Sequence, residues 1–193
     1  MSANDTASIL DGLLFTAMNK WDMSEEQILE NMNKIAFHES KLDPSAIQKV
    51  HPETAEDGST VWGAGKGKGL FQFESGEGQG AHTAINRLVA ELGGHEPEFL
   101  SGLSKSNYDI SGLDPEAQQA IFLGNLLRLK HKGPGKGRVE ANFAGVDTDE
   151  KLADYWAQYH QAGEKLDTKG YDDNIAKFLE DLQEGYRKDL IKQ

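Results

Sequence analysis

The stretch I-A-F-H-E-S-K-L-D-P-S-A-I, from Ile35 to Ile47, decides how this chain is read, together with V-W-G-A-G-K-G-K-G-L-F-Q-F-E from Val61 to Glu74. Upstream, Ser24 followed three residues later by Gln27 marks a capped helix start. Ile28, Met32, Ile35 and Glu39 then recur at helical spacing, so a carboxylate continues an apolar stripe. Asp43-Pro44 ends that helix. The chain then returns through glycines to Gln72, flanked by Phe71 and Phe73. A carboxylate on such a stripe is half desolvated, which favours its neutral form and suits a proton donor. The plainer alternative for one glutamate at a helix end is a structural ion pair.

Before this stretch, Thr6 to Lys20 sets Ile9, Leu10, Leu13, Leu14, Ala17 and Met18 on one face. That is the pattern of an amphipathic helix, with residues 1–22 packing on the core or docking on a partner. Between Lys41 and Gly80 the composition turns to glycine, serine, proline and charge. Only Thr60-Val61-Trp62 and Leu70 to Phe73 read there as short strands, a small hairpin or sheet beside the helix that carries Glu39. Ala81 to Leu92 regains helical spacing and stops at Gly93-Gly94, before an irregular stretch from His95 to Leu113. Asp114 caps a further helix with Pro115 in its first turn. The small and branched stripe of that helix, Ala117, Ala120, Ile121, Gly124 and Leu127, predicts the central buried helix. Asp147 and Glu150 open another helix through Trp156 to Tyr159 and His160, stopping near Gly163. The last runs from Asp173 to about Leu190 with Ile175, Phe178, Leu179, Leu182 and Tyr186 in register. The expected class is α+β, mainly α. With no repeat and no long linker, the 193 residues read as one domain.

Composition narrows the function. Hydrophobic content of 37% and charged content of 27% fit a soluble globular chain, and the net charge of −12 argues against nucleic acid as a partner. One basic run, Arg128, Lys130, His131, Lys132, Lys136 and Arg138, reads as a solvated loop or as a contact for an anionic polymer. With no cysteine there is neither a disulfide nor a thiolate metal site. No HExxH pair implies a metal, and G-A-G-K-G-K-G-L lacks the Gly-Lys-Ser/Thr ending of a phosphate loop, so no cofactor is expected. His38 adjoins Glu39 without facing it. No apolar run approaches a membrane span, so stable membrane insertion is not expected either.

H-E-S-K-L-D-P-S-A followed by G-L-F-Q resembles the goose-type lysozyme and soluble lytic transglycosylase group of lysozyme-like proteins. Glu39, Ser40, Pro44, Ala46, Gly69, Leu70 and Gln72 fall on that group's pattern, and Phe71 stands where the group has methionine. The likeness covers residues 24 to 90 well and the C-terminal half loosely. The link from Gln48 to Lys68 is long and polar for the group. The group's tyrosine-asparagine-alanine-glycine motif reads here His160-Gln161-Ala162-Gly163, which leaves the tyrosine's role open.

The resemblance implies a lysozyme-like domain that cleaves the MurNAc-GlcNAc bond of peptidoglycan, with Glu39 as acid and then base and an anhydro sugar as product. Ser40, Phe71, Gln72, Glu74, Tyr159 and His160 are the implied substrate-binding residues. A true hydrolase of the same fold would need a second acid to position water, for which Asp43, Asp57 and Glu74 are the candidates. A non-catalytic wall-binding or particle protein is the third reading. The chain opens without an export signal, so the expected setting is a phage virion, among other virion proteins, or a released lysis enzyme or effector.

Overall fold

A computed structural model describes residues 3–54, 57, 59–132, 138–140, 142–159 and 165–191. The first helix, α1, spans Ala3–Trp21 and buries Leu10, Leu13, Leu14, Ala17 and Trp21, the face its spacing predicts, while Phe15 stands 68% exposed. Helix α2 spans Glu25–Ser40. The Ser24 hydroxyl accepts a hydrogen bond from the Gln27 backbone N–H at 3.2 Å, and Glu25 and Glu26 sit where the helix dipole favours negative charge. Only half of the expected capping box forms, because the Gln27 side chain turns forward to Asn31. The helix closes without a glycine. Lys41 (φ 57°) and Leu42 (φ 65°) both take the left-handed conformation and return their N–H groups to Phe37 and Ala36.

Three antiparallel strands follow: β1 (Ile47–Thr54), β2 (Thr60–Lys68) and β3 (Phe73–Glu74), in the spatial order β1-β2-β3. The register pairs Ile47 with Lys68 and Thr54 with Thr60. It shifts twice, between Ile47 and Lys49 and between Val50 and Pro52, where proline has no N–H to give the ladder. Two expectations are corrected here. Strand β1 goes unread in a stretch dominated by Gln48, Lys49, His51 and Glu53, and β2 runs well beyond Trp62. Leu70 to Gln72 form a tight turn instead of a strand, with Gly69 at φ 73° and Gln72 at φ 47°.

Helix α3 (Gly80–Glu91) buries Ala81, Ala84, Ile85 and Leu88 and ends at Gly93 and Gly94, both left-handed as their position predicts. Two short 3₁₀ turns, Glu98–Leu100 and Leu103–Ser106, carry the chain to α4 (Pro115–Arg128). Every residue from Ala117 to Leu127 is buried, so α4 is packed on all sides and is the central helix of the body. Its N-terminus uses Pro115, but the Asp114 side chain makes no capping bond. At Gly124 the α3 backbone comes so close that an added Cβ would lie 3.0 Å from Leu88 Cα.

Part of the basic run is paired: β4 (Lys130–Lys132) lies against β5 (Arg138–Glu140), Lys136 lies outside the described residues, and Arg128 before β4 is bound to Glu91 and to the Ala90 carbonyl. Helix α5 (Asp149–Tyr159) buries Leu152, Tyr155 and Trp156. Helix α6 (Tyr171–Ile191) buries Tyr171 and Phe178 and leaves Leu179 exposed despite its place in the apolar register. The chain is α+β and mainly helical, as its pattern implies. Among the described residues no helix is long and apolar enough to cross a membrane.

Candidate active site

Glu39 is the penultimate residue of α2 and half-buried, at the end of a stripe whose earlier members, Ile28, Met32 and Ile35, are fully buried. Its neighbours point elsewhere. The His38 Nδ1 accepts the Asp167 N–H at 2.7 Å, and its ring meets Trp156 edge-on at 4.9 Å, so it belongs to the packing between α2 and the segment before α6. The Ser40 hydroxyl donates to the Ala36 carbonyl at 2.8 Å, which is a bond within the helix.

Beyond the helix, the Asp43 carboxylate accepts both the N–H and the hydroxyl of Ser45, and the Ala46 N–H closes on the Asp43 carbonyl. This tight reversal hands the chain to the sheet. Its last carbonyl, that of Ala46, then receives the Gly69 N–H at 2.9 Å, so the G-L-F-Q turn is stitched onto the connection that follows Glu39. Gln72 is part of that stitching. Its amide nitrogen donates to the Gly69 carbonyl at 2.7 Å and to the Ala46 carbonyl at 3.3 Å. The amide oxygen takes no hydrogen bond among the described residues, and the group is half-buried, so one acceptor remains for a bound molecule. Gly67 leaves the space, since a Cβ there would lie 3.1 Å from that oxygen.

One residue that the sequence reading passes over holds both motifs. Gln118, fully buried on α4, accepts the Leu70 N–H at 2.7 Å and donates to the Pro44 carbonyl at 3.0 Å and the Leu113 carbonyl at 2.8 Å. A single amide therefore clamps the turn after Glu39 and the turn before Gln72 to the central helix. Gly69 is required beneath it, since a Cβ at 69 would fall 2.2 Å from the Gln118 oxygen. The available signal in the sequence is a glutamine on an otherwise apolar face beside Ala117 and Ala120.

Other expected site residues sit differently. Phe71 is buried and stacks on Phe122 with ring centroids 4.0 Å apart, so it builds the floor of the turn and offers no face to a sugar. Glu74 is exposed on β3 opposite Gly67. The idea that it shares a strand face with Gln72 fails because Gln72 lies in the turn. Asp43 and Asp57 are exposed, and each is tied to a serine two residues on. The hydroxyl of Ser59, then its N–H, hold the Asp57 carboxyl below the usual range. Trp156 is core. Tyr159 ends α5 with its side chain outside the described set, and His160 lies outside the described residues.

Among the described residues no cluster of His, Asp and Glu is arranged to hold a metal ion. A cavity of about 360 Å³ opens elsewhere, lined by Glu140, Asn142, Lys151, Asp154, Tyr155 and Gln158 among others, and none of its lining residues belongs to the Glu39 and Gln72 group. Comparison of the chain with family models, curated proteins and solved structures gives no match.

Proposed function

We propose that this chain is a lysozyme-like enzyme that cleaves the glycan strands of peptidoglycan, with Glu39 as its single acid and base. The observation that carries the reading is the half-buried Glu39 at the head of a buried stripe, with the turn that follows it bound through Ala46 and Gln118 to the turn bearing Gln72. In this reading Glu39 gives its proton to the bridging oxygen as the bond from that oxygen to the muramyl anomeric carbon breaks. The sugar's own N-acetyl oxygen closes on that carbon. The Glu39 carboxylate then takes the proton of the 6-hydroxyl, whose oxygen displaces the N-acetyl oxygen and leaves a 1,6-anhydro end with no water consumed. The free oxygen of the Gln72 amide receives an N–H or hydroxyl of the substrate.

The one-carboxylate route is preferred over hydrolysis for a specific reason. Asp43, Asp57 and Glu74 are all exposed, and the first two already accept hydrogen bonds in tight turns. An acid that positions water works best where solvent is excluded.

Purified wall digested by the protein, followed by mass spectrometry in ¹⁸O water, tests the route. Anhydro ends without ¹⁸O are expected, and labelled reducing ends would place the protein with the hydrolases. Glu39→Gln keeps shape and removes the proton, so clearing of wall turbidity is expected to fall at least about a hundredfold. Clearing at the parent rate would remove Glu39 from the chemistry.

A further inference from the structure

A pair of stacked rings lies where the loop after β3 meets the connection that leads to α4. Tyr108 stacks on His82 with ring centroids 4.2 Å apart and planes 14° from parallel. The backbone there is unusual. Asn107 (φ 56°) and Tyr108 (φ 58°) are consecutive residues in the left-handed region, which asparagine tolerates and a bulky ring does not. Such strain persists only where surrounding bonds impose it, and it gathers at working sites. The bonds are present: the Tyr108 N–H donates to the Leu103 carbonyl at 2.7 Å, and the Gly76 N–H donates to the Asn107 carbonyl at 2.8 Å.

The loop after β3 fixes the second ring. The Gly78 N–H donates to His82 Nδ1 at 2.8 Å, so in the neutral ring the hydrogen sits on Nε2. Both rings are half-buried. Neither that Nε2–H nor the Tyr108 hydroxyl has a hydrogen-bond partner among the described residues. The result is a rigid, flat, partly exposed surface with polar groups at its rim.

From the stacked rings, their strained backbone and the unbonded polar groups at their rim, we infer that the Tyr108 and His82 pair is a stacking subsite for a pyranose ring of the glycan strand, lying beyond Gln72. The inference rests on the glycan reading given above. A sugar presents an apolar face to the ring plane and hydroxyls to the rim, which is the chemistry this pair offers. Four residue steps, at most about 14 Å of chain, lead from Gln72 to Gly76, which is bonded to Asn107 beside Tyr108, so both places lie within reach of one polymer strand. Charge favours a neutral sugar over a nucleotide, because the exposed Glu74 and Glu77 flank the loop and would repel phosphate while accepting from hydroxyls.

The test uses the full chain carrying Glu39→Gln, titrated calorimetrically with soluble, peptide-free glycan strands and, separately, with AMP. Tyr108→Asn deletes the ring and keeps a residue at ease in the left-handed backbone. It should weaken glycan binding roughly 3- to 10-fold with an unchanged thermal midpoint, whereas Tyr108→Phe should stay within about twofold. In the chain with Tyr108 intact, the ring signals of His82 should shift on glycan titration, which tests the site even where Tyr108→Asn folds poorly. Equal glycan affinity in Tyr108→Asn, or a still His82 ring, overturns the subsite while leaving the Glu39 chemistry standing. Tighter binding of AMP than of glycan overturns the sugar assignment. Loss of binding in Tyr108→Asn alongside full wall clearing by Glu39→Gln supports the subsite and removes the chemistry instead.

Discussion

At the scale of single residues, Gln118 is the most consequential side chain outside Glu39. Replacing it with leucine leaves the buried Leu70 N–H and the half-buried Pro44 and Leu113 carbonyls without their partner. Urea unfolding of Gln118→Leu should show a loss of about 2–4 kcal/mol. Under the proposed function, the wall-clearing rate of the folded fraction should fall too, because both turns lose a common anchor. A variant that is less stable yet fully active per folded molecule would make Gln118 a purely structural residue. Glu39 was legible because its stripe lies within one helix, where local spacing carries the message. Gln118 was not, since the two turns it joins bind it from 48 and 74 residues away and no local pattern encodes them. Phe71 misled for a related reason. An aromatic ring beside a candidate binding residue reads the same whether it faces a ligand or, as here, Phe122.

Among the elements, α2 is held against the N-termini of α5 and α6 by a buried charge. Lys34, its side chain only 11% exposed, meets Glu30 at 2.7 Å and Asp149 at 2.5 Å and lies 5.6 Å from the centre of the Tyr171 ring. Burial pulls the Lys34 pKa down, but its hydrogen bonds to Asp149 and Glu30 and their charges outweigh that, so the net shift is upward. Burial, then the nearby Glu30 charge, push Tyr171 up to about 12. Both groups hold their protons more tightly folded than unfolded. Their contribution is therefore complete below about pH 10 and is lost as pH rises through the folded values. Thermal midpoints measured from pH 8 to 12 should drop above about pH 10, and the drop should be shallower in Tyr171→Phe. Parallel curves for the two proteins would dissociate Tyr171 from the effect.

The α3 and α4 contact makes a second prediction at this scale. Alanine at Gly124 gains roughly 1 kcal/mol of helix propensity in an open helix. Here it meets the Leu88 backbone, so denaturant unfolding should show a net loss of about 1–2 kcal/mol. The helices were legible almost to their ends because apolar residues recur along them at helical spacing. Strand β1 was not, because Gln48, Lys49 and Glu53 give no alternation of apolar and polar residues to read. Its pairing with β2 supplies what its own sequence lacks.

In the molecule as a whole, stability and chemistry are distributed unequally. The buried helix α4 lies at the centre of the body, while Gln48 and Lys49 on β1 and Lys66 on β2 are exposed. Native-state hydrogen exchange should find the amides of residues 119–127 opening only with global unfolding, and those of residues 48–54 and 60–66 exchanging orders of magnitude faster. Uniform protection across both regions would contradict that division. The mainly helical class followed from periodicity and glycine placement along the chain. The relation between the two motifs did not, because it is made by hydrogen bonds from a third segment.

The pairing of Gly69 with Gln118 has a consequence for evolution. A side chain at 69 is excluded twice, by the amide of 118 and by the left-handed backbone there (φ 73°), so glycine stays required even where 118 changes. Descendants of this sequence should keep Gly69 longest. Its persistence would trace their kinship after the residues around Glu39 had diverged.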